Sequence, residues 1–174
     1  RIIRVGSRRG WQCEPDQRHA EIIIKTLGLE NAKPAKTPGD QENQKEEEEN
    51  AQELDKMESR EYRGLTARAN YLAQDRIDIQ YAVKELSRAM AAPTVGDWRK
   101  LKRLGRYLVG KPRVITSYPW QEEVGMFTGY SDSDWAGCKK TAKSTSGGVI
   151  QKGCHYIRSW SSTQKCVTLS SGEA

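Results

Sequence analysis

Apolar positions recur along the chain in two rhythms. Near the start Ile3 and Val5 alternate with polar neighbours, and Trp11 and Cys13 alternate again after Ser7-Arg8-Arg9-Gly10. Period-two alternation on both sides of a turn predicts a hairpin over residues 1–13. The period then lengthens. Ala20, Ile23, Ile24 and Leu27 fall on one face of a helix that Pro15 and Asp16 introduce and Gly28 ends. Ile79, Val83, Leu86 and Met90 repeat the helical spacing and stop before Pro93. Thr94 with Asp97 three residues on predicts a capped start for another helix, whose stripe is Trp98, Leu101, Leu104 and Leu108 and whose end is marked by Gly110 and Pro112.

From Val124 the alternation returns to strands. Val124–Asp132, Gly147–Gln151 and Cys154–Ser161 are three candidates, with Gly153 as the turn between the last two. So short a connection predicts an antiparallel meander. Ser170 or Ser171 is then placed to cap a new helix containing Glu173.

Composition divides the chain further. Of 174 residues, 36% are hydrophobic and 30% charged, polar enough that part of the chain is expected to lie outside any core. Asp40 to Glu58 holds nine acidic residues against two lysines, a local charge of −7. With +6 on the whole chain, the remainder carries +13. The acidic run reads as a solvated linker, with mimicry of nucleic acid the sharper alternative. The basic remainder favours a polyanionic partner. The helix over 94–109 concentrates that charge in Arg99, Lys100, Lys102, Arg103 and Arg106. Either it contacts a phosphate backbone or it is an ordinary solvated face.

Cys13, Cys138, Cys154 and Cys166 form no C-x-x-C pair, so free thiols are expected. A zinc site from Cys138, Cys154, His155 and Cys166 lacks any standard ligand spacing. No apolar run reaches the ~20 residues of a membrane span and no signal core opens the chain, so an intracellular setting is expected. Starting at Arg1 and stopping at Ala174, the chain reads as an excerpt at both ends.

Asp132 at a strand end and Glu173 at a helix start are rigid oxygen donors of the kind a divalent cation takes. Two-metal phosphodiester chemistry needs several such carboxylates converging. Spacing alone supports this weakly, since both positions suit these residues for structural reasons.

The strings around them say more. Tyr130-Ser131-Asp132-Ser133-Asp134-Trp135-Ala136-Gly137-Cys138, Lys143-Ser144-Thr145-Ser146-Gly147-Gly148, Ser159-Trp160-Ser161-Ser162 and Leu169-Ser170-Ser171-Gly172-Glu173-Ala174 follow in order. Together they resemble the ribonuclease H region of copia-type retrotransposon polyproteins. Asn70 to Ile79 and Arg103 to Pro112 resemble that family's connection between polymerase and ribonuclease H, and Arg18 to Pro38 resembles the end of its reverse transcriptase. The resemblance implies a four-carboxylate site that binds Mg²⁺ (or Mn²⁺) and cuts the RNA strand of an RNA–DNA hybrid. In it Asp132 and Glu173 take the first two roles. Asp134 is a possible further metal ligand, with a loop-structural role the simpler reading. Two further carboxylates are expected beyond residue 174 and the polymerase aspartates before Arg1, so little metal affinity and no robust nuclease activity are expected of this chain by itself.

The expected architecture is α+β. A hairpin-helix piece over 1–38 leads into an acidic disordered linker over 39–59. A two-helix connection covers 60–118. An incomplete three-stranded ribonuclease H-like meander over 119–174 ends in a helix start. The implied setting is the cytoplasm, a virus-like particle or the nucleus, with the rest of the polyprotein as a partner. The competing readings are a non-catalytic nucleic-acid-binding module working through helix 94–109, and a decayed transposon remnant.

Overall fold

The computed structural model describes residues 1–6, 10–39, 50–138 and 141–173. Its elements in chain order are β1 (Ile2–Arg4), β2 (Trp11–Cys13), α1 (Arg18–Thr26), α2 (Lys56–Ala73), a 3₁₀ turn (Ile77–Ile79), α3 (Gln80–Arg88), α4 (Val95–Gly110), β3 (Thr116–Tyr118), β4 (Phe127–Ser133), β5 (Thr145–Lys152) and β6 (His155–Thr163). This is the mixed α+β class expected. The chain divides into a helical unit, Glu14–Val114, and a sheet unit made of Arg1–Cys13 and Ile115–Ala174. The piece expected over 1–38 therefore contributes to both.

The helical unit packs four helices around one apolar core. Ile23 of α1, Leu65 and Leu72 of α2, Val83 and Leu86 of α3, and Leu101, Leu104 and Leu108 of α4 are all buried in it. The stripes of α1, α3 and α4 are those the sequence predicts. Burial of each such side chain contributes on the order of 1.5–3 kcal/mol. Helix α4 starts where expected: the Thr94 hydroxyl accepts from the Asp97 N–H, and the Asp97 carboxylate accepts from the Thr94 N–H. Gly105 of α4 lets Leu27 and Leu29 pack close to the helix, because a Cβ there would lie 2.6 Å from Leu29 Cδ1 and 3.0 Å from Leu27 Cδ1.

Helix α2 corrects the sequence reading, which places only two helices between residues 60 and 118 and a disordered linker up to residue 59. Asp55 caps α2 and forms a full capping box with Glu58, so two residues counted as linker charge are helix-start signals. Favourable interaction of Glu58 with the helix N-terminus adds to this. Tyr62, Leu65, Thr66, Ala69, Leu72 and Ala73 then give a buried face at helical spacing. Before the cap, the N–H groups of Gly96 and Val95 donate to the carbonyls of Asn50 and Gln52, and Leu54 N–H donates to the Pro93 carbonyl. The acidic run from Asp40 to Glu49, and the reading of it as disordered, lie outside the described residues.

A buried polar cluster completes this unit. Arg76 is 1% exposed. Its Nε and Nη2 donate to the two carboxylate oxygens of Asp78 at 2.8 and 2.7 Å, and the Tyr107 hydroxyl donates to Asp78 Oδ2 at 2.8 Å. Burial pushes the Asp78 carboxyl up, but the bonds from Arg76 and Tyr107 outweigh it and hold the carboxyl below its ordinary value. Burial and the Asp78 charge push the Tyr107 phenol up to about 12.

The sheet unit contains two three-stranded antiparallel sheets, ordered β1-β2-β3 and β4-β5-β6. In the first, Ile3 faces Gln12, and Gln12 faces Ser117. The expected hairpin is therefore present and carries a third strand that the sequence reading leaves unassigned. Its turn at Ser7 to Arg9 lies outside the described residues. Gly10, at φ +95°, is needed where β2 meets β3: a Cβ there would fall 1.9 Å from the Tyr118 carbonyl oxygen. The second sheet is the predicted meander, with Asp132 opposite Gly147 and Gly148 opposite Trp160. Gly153, at φ +60°, opens the two-residue β5–β6 turn. The Gln121 carboxamide clamps that turn, donating to the Lys152 carbonyl and accepting from the Cys154 N–H, both at 2.9 Å.

Candidate metal and nucleic-acid sites

Asp132 is exposed near the end of β4, the strand position the sequence predicts for it. Asp134 sits one step past the strand and works within the loop. Its backbone N–H donates to the Thr145 carbonyl at 3.1 Å, and its Oδ1 accepts from the Thr145 N–H at 2.5 Å. The Asp134 carboxylate also occupies the space a side chain at Gly137 would need. These contacts hold the loop after β4 in place.

The same loop is knitted from further along the chain. Ser144, fully buried, accepts from the Ala136 N–H at 3.1 Å and shares a hydrogen bond with the Thr168 hydroxyl at 3.2 Å. The Trp135 indole N–H donates to the Thr168 carbonyl at 3.3 Å. Ser144 is thus a fold-supporting residue, and Thr168 is a partner that sequence reasoning missed. Ala136, at φ +52°, turns the chain between Trp135 and Gly137.

Glu173 lies in a turn rather than a helix. Its N–H donates to the Ser170 carbonyl, an i→i−3 bond, and its carboxylate accepts from the Leu169 N–H at 2.9 Å. The carboxylate satisfies a donor of its own turn, which replaces the expected hydroxyl cap. No bond joins Asp132 to Glu173, and no group of three or more His, Cys, Asp or Glu able to hold a metal ion occurs among the described residues. All four cysteines are free thiols. Cys154 bonds to Gln121 and His155 to the Pro119 carbonyl, so the zinc set of Cys138, Cys154, His155 and Cys166 is not assembled.

The five cations of α4 fall into three groups. Arg103 donates from Nε to the Gly39 carbonyl at 3.2 Å and from Nη2 to the Thr37 hydroxyl at 2.8 Å. Arg106 donates to the Lys33 carbonyl at 2.8 Å. Both fasten the proline-containing segment 33–39 along the helix. Lys100 lies 3.9 Å from Asp97. Arg99 and Lys102 are exposed, three residues apart on one face. An even spread of charge along a sequence does not reveal this division, because it depends on which loop returns to which helix face.

No helix among the described residues is long and apolar enough to cross a membrane. No protein-family model and no solved structure matches the chain. Curated proteins do. A retrovirus-related Pol polyprotein from transposon RE2 of Arabidopsis thaliana is 44% identical over 115 residues, which is 66% of this chain and 8% of that polyprotein. An uncharacterized mitochondrial protein of the same plant is 32% identical over 157 residues, 90% of this chain and 63% of that protein. A secreted RxLR effector protein of Plasmopara viticola is 37% identical over 98 residues, 56% of this chain and 68% of that protein. The chain thus spans about a twelfth of the Pol polyprotein it matches. On this similarity, and on the ordered strings that run through its sheet and helices, the chain belongs to the family of retrovirus-related Pol polyproteins of copia-type transposons, as a segment of one.

Proposed function

We propose that this segment is the junction between reverse transcriptase and ribonuclease H in such a polyprotein, and that its sheet unit supplies the first carboxylates of a ribonuclease H site. The observation that carries the reading is Asp132 on the first strand of a three-stranded antiparallel meander, followed in order by the strings through Glu173. The substrate would be an RNA–DNA hybrid, and the reaction hydrolysis of the RNA strand. A pair of bound divalent metal ions supplies an activated water and neutralises charge developing on the phosphate. Asp132 and Glu173 are hard oxygen donors suited to Mg²⁺ or Mn²⁺. Two carboxylates, one of them bonded within its own turn, do not build a metal site, so the chemistry belongs to the larger polyprotein.

The test is Mg²⁺-dependent cleavage of an RNA–DNA hybrid by a polyprotein containing this segment. Asp132→Asn is expected to lower the rate by about 10²-fold or more, since it removes a ligand from ions that stabilise several kcal/mol of transition-state charge. Cleavage at the unmutated rate would sink the assignment.

A second reading is favoured by the exposure of Arg99 and Lys102 on one face of α4. These two residues would contact phosphate and contribute a salt-sensitive share of hybrid affinity, while Arg103 and Arg106 hold the helix's surroundings in place. Replacing Arg99 and Lys102 by Ala should flatten the salt dependence of hybrid binding by roughly two phosphate contacts.

A further inference from the structure

The sheet unit contains a cavity of about 340 Å³ walled by Arg4, Trp11, Tyr118, Trp120 and His155, with Gln121 beside them. Among the described residues, no acidic side chain lines it. Trp11 is 51% exposed and Trp120 58% exposed. A large aromatic ring removes 150–250 Å² from water when fully buried, so two half-exposed indoles at one concavity leave unused stacking surface.

The remaining walls are fixed. The His155 Nε2 bonds the Pro119 carbonyl, and its ring meets Tyr118 edge-on with centroids 5.6 Å apart. Gln121 is committed to the β5–β6 turn. The Arg4 guanidinium stands 6.0 Å from the Trp11 ring centroid, a cation at the aromatic wall. Gly10 lets β2 and β3 close at the cavity, because any side chain there would strike the Tyr118 and Pro119 backbone.

We propose that this cavity receives a base of single-stranded nucleic acid, stacked on the indoles of Trp11 and Trp120, with Arg4 taking the adjoining phosphate. The concavity accepts a flat ring and the aromatic faces offer stacking that every base can use. A cation and the absence of carboxylates favour a strand that carries negative charge. Among the polar groups at the cavity, the Gln121 carboxamide is tied to the turn, so recognition rests on stacking and is tolerant of sequence. A proline-rich peptide could also lie on an aromatic groove, but it offers nothing to Arg4. This site needs neither Asp132, Glu173 nor a metal, and its residues are distinct from Arg99 and Lys102. Its failure and that of the hybrid-cleavage reading are therefore separable.

The test is fluorescence anisotropy of a labelled oligothymidylate of about twelve nucleotides, a length within the site sizes of stacking grooves, titrated with the whole chain. Trp11→Ala and Trp120→Ala should each weaken binding by about 5- to 150-fold, the equivalent of one lost base stack. Trp11→Phe and Trp120→Phe keep an aromatic face and should recover most of that affinity, which separates stacking from a folding defect. Met57→Ala, on the helical unit and 83% exposed, should bind like the unmutated chain. Unchanged affinity in both alanine variants would overturn the proposal, as would phenylalanine variants as weak as alanine. A proline-rich peptide held by the same indoles in preference to the oligonucleotide would overturn it too.

Discussion

The helical unit and the sheet unit are held together by different physics. Every buried hydrophobic side chain among the described residues belongs to the helical unit, from Ala20 to Leu108. In the sheet unit the one buried residue described is a serine, Ser144. Phe127, Tyr130, Trp135 and Ile157 are more than half exposed there. Strand ladders, two glycine turns and a serine-threonine contact define the sheets without an enclosed core. Backbone hydrogen bonds exchanged with water contribute little net free energy each, whereas apolar burial is the main favourable term in folding. The difference teaches that the two units differ in their need for other chain: the helical unit buries its own apolar face, and the sheet unit leaves apolar surface of the kind that marks an interaction face.

Four substitutions would break or sharpen this contrast. The largest effect is expected from Asp78→Asn in the helical unit, which leaves the buried Arg76 cation without its carboxylate and should cost about 3–5 kcal/mol. Chemical denaturation followed by helical circular dichroism checks it. The same pair gives a pH signature. The folded-state pKa of Asp78 lies below its unfolded value, so its stabilisation is complete above the unfolded pKa of about 3.9 and is lost as pH falls through the lower folded value. Acid titration should therefore lower the stability of the helical unit in that range, and Asp78→Asn should lack that loss.

Next comes a matched pair of truncations. Leu104→Ala, in the fully buried stripe of α4, should destabilise by about 2–5 kcal/mol. Ile150→Ala in β5, half-buried on a sheet with no enclosed core, should cost under about 1 kcal/mol. Equal losses in thermal or denaturant unfolding would mean the sheet unit is as tightly packed as the helical one. Thr94→Ala, which removes the side-chain half of the α4 cap, should fall between that pair at about 0.5–2 kcal/mol in the same assay.

Legibility followed the same divide. Stripes such as Trp98, Leu101, Leu104 and Leu108 were readable because a helix that buries one face must repeat at helical spacing. The Thr94–Asp97 cap and the three-stranded meander were readable for equally local reasons. Helix α2 carried a readable face at Tyr62, Leu65 and Ala69, but its start lies inside an acidic stretch whose composition reads as linker. Only a partner for each charge distinguishes Asp55 and Glu58, which cap a helix, from solvated acids. Among the candidate residues, Asp132 lies on the strand that alternation predicts, and Asp134 bonds to Thr145 across the loop. The turn at Glu173 was not legible, because a carboxylate and a serine can both serve a nearby N–H and sequence does not choose between them.

The sequence by itself determined the elements whose cause is local: the helix stripes and cap, the alternating strands, the glycine between β5 and β6, and the ordered strings that tie the chain to its family. Only the tertiary structure decided what each charge and each aromatic does. It divided the cations of α4 between loop anchors and an exposed pair, and placed Arg76 in a buried cluster with Asp78 and Tyr107. It gathered Arg4, Trp11, Trp120 and His155 from three distant stretches of chain around one cavity. Periodicity reports what a residue's immediate neighbours require. A side chain's charge partner or ring neighbour is set by where remote segments return, and that is fixed by packing.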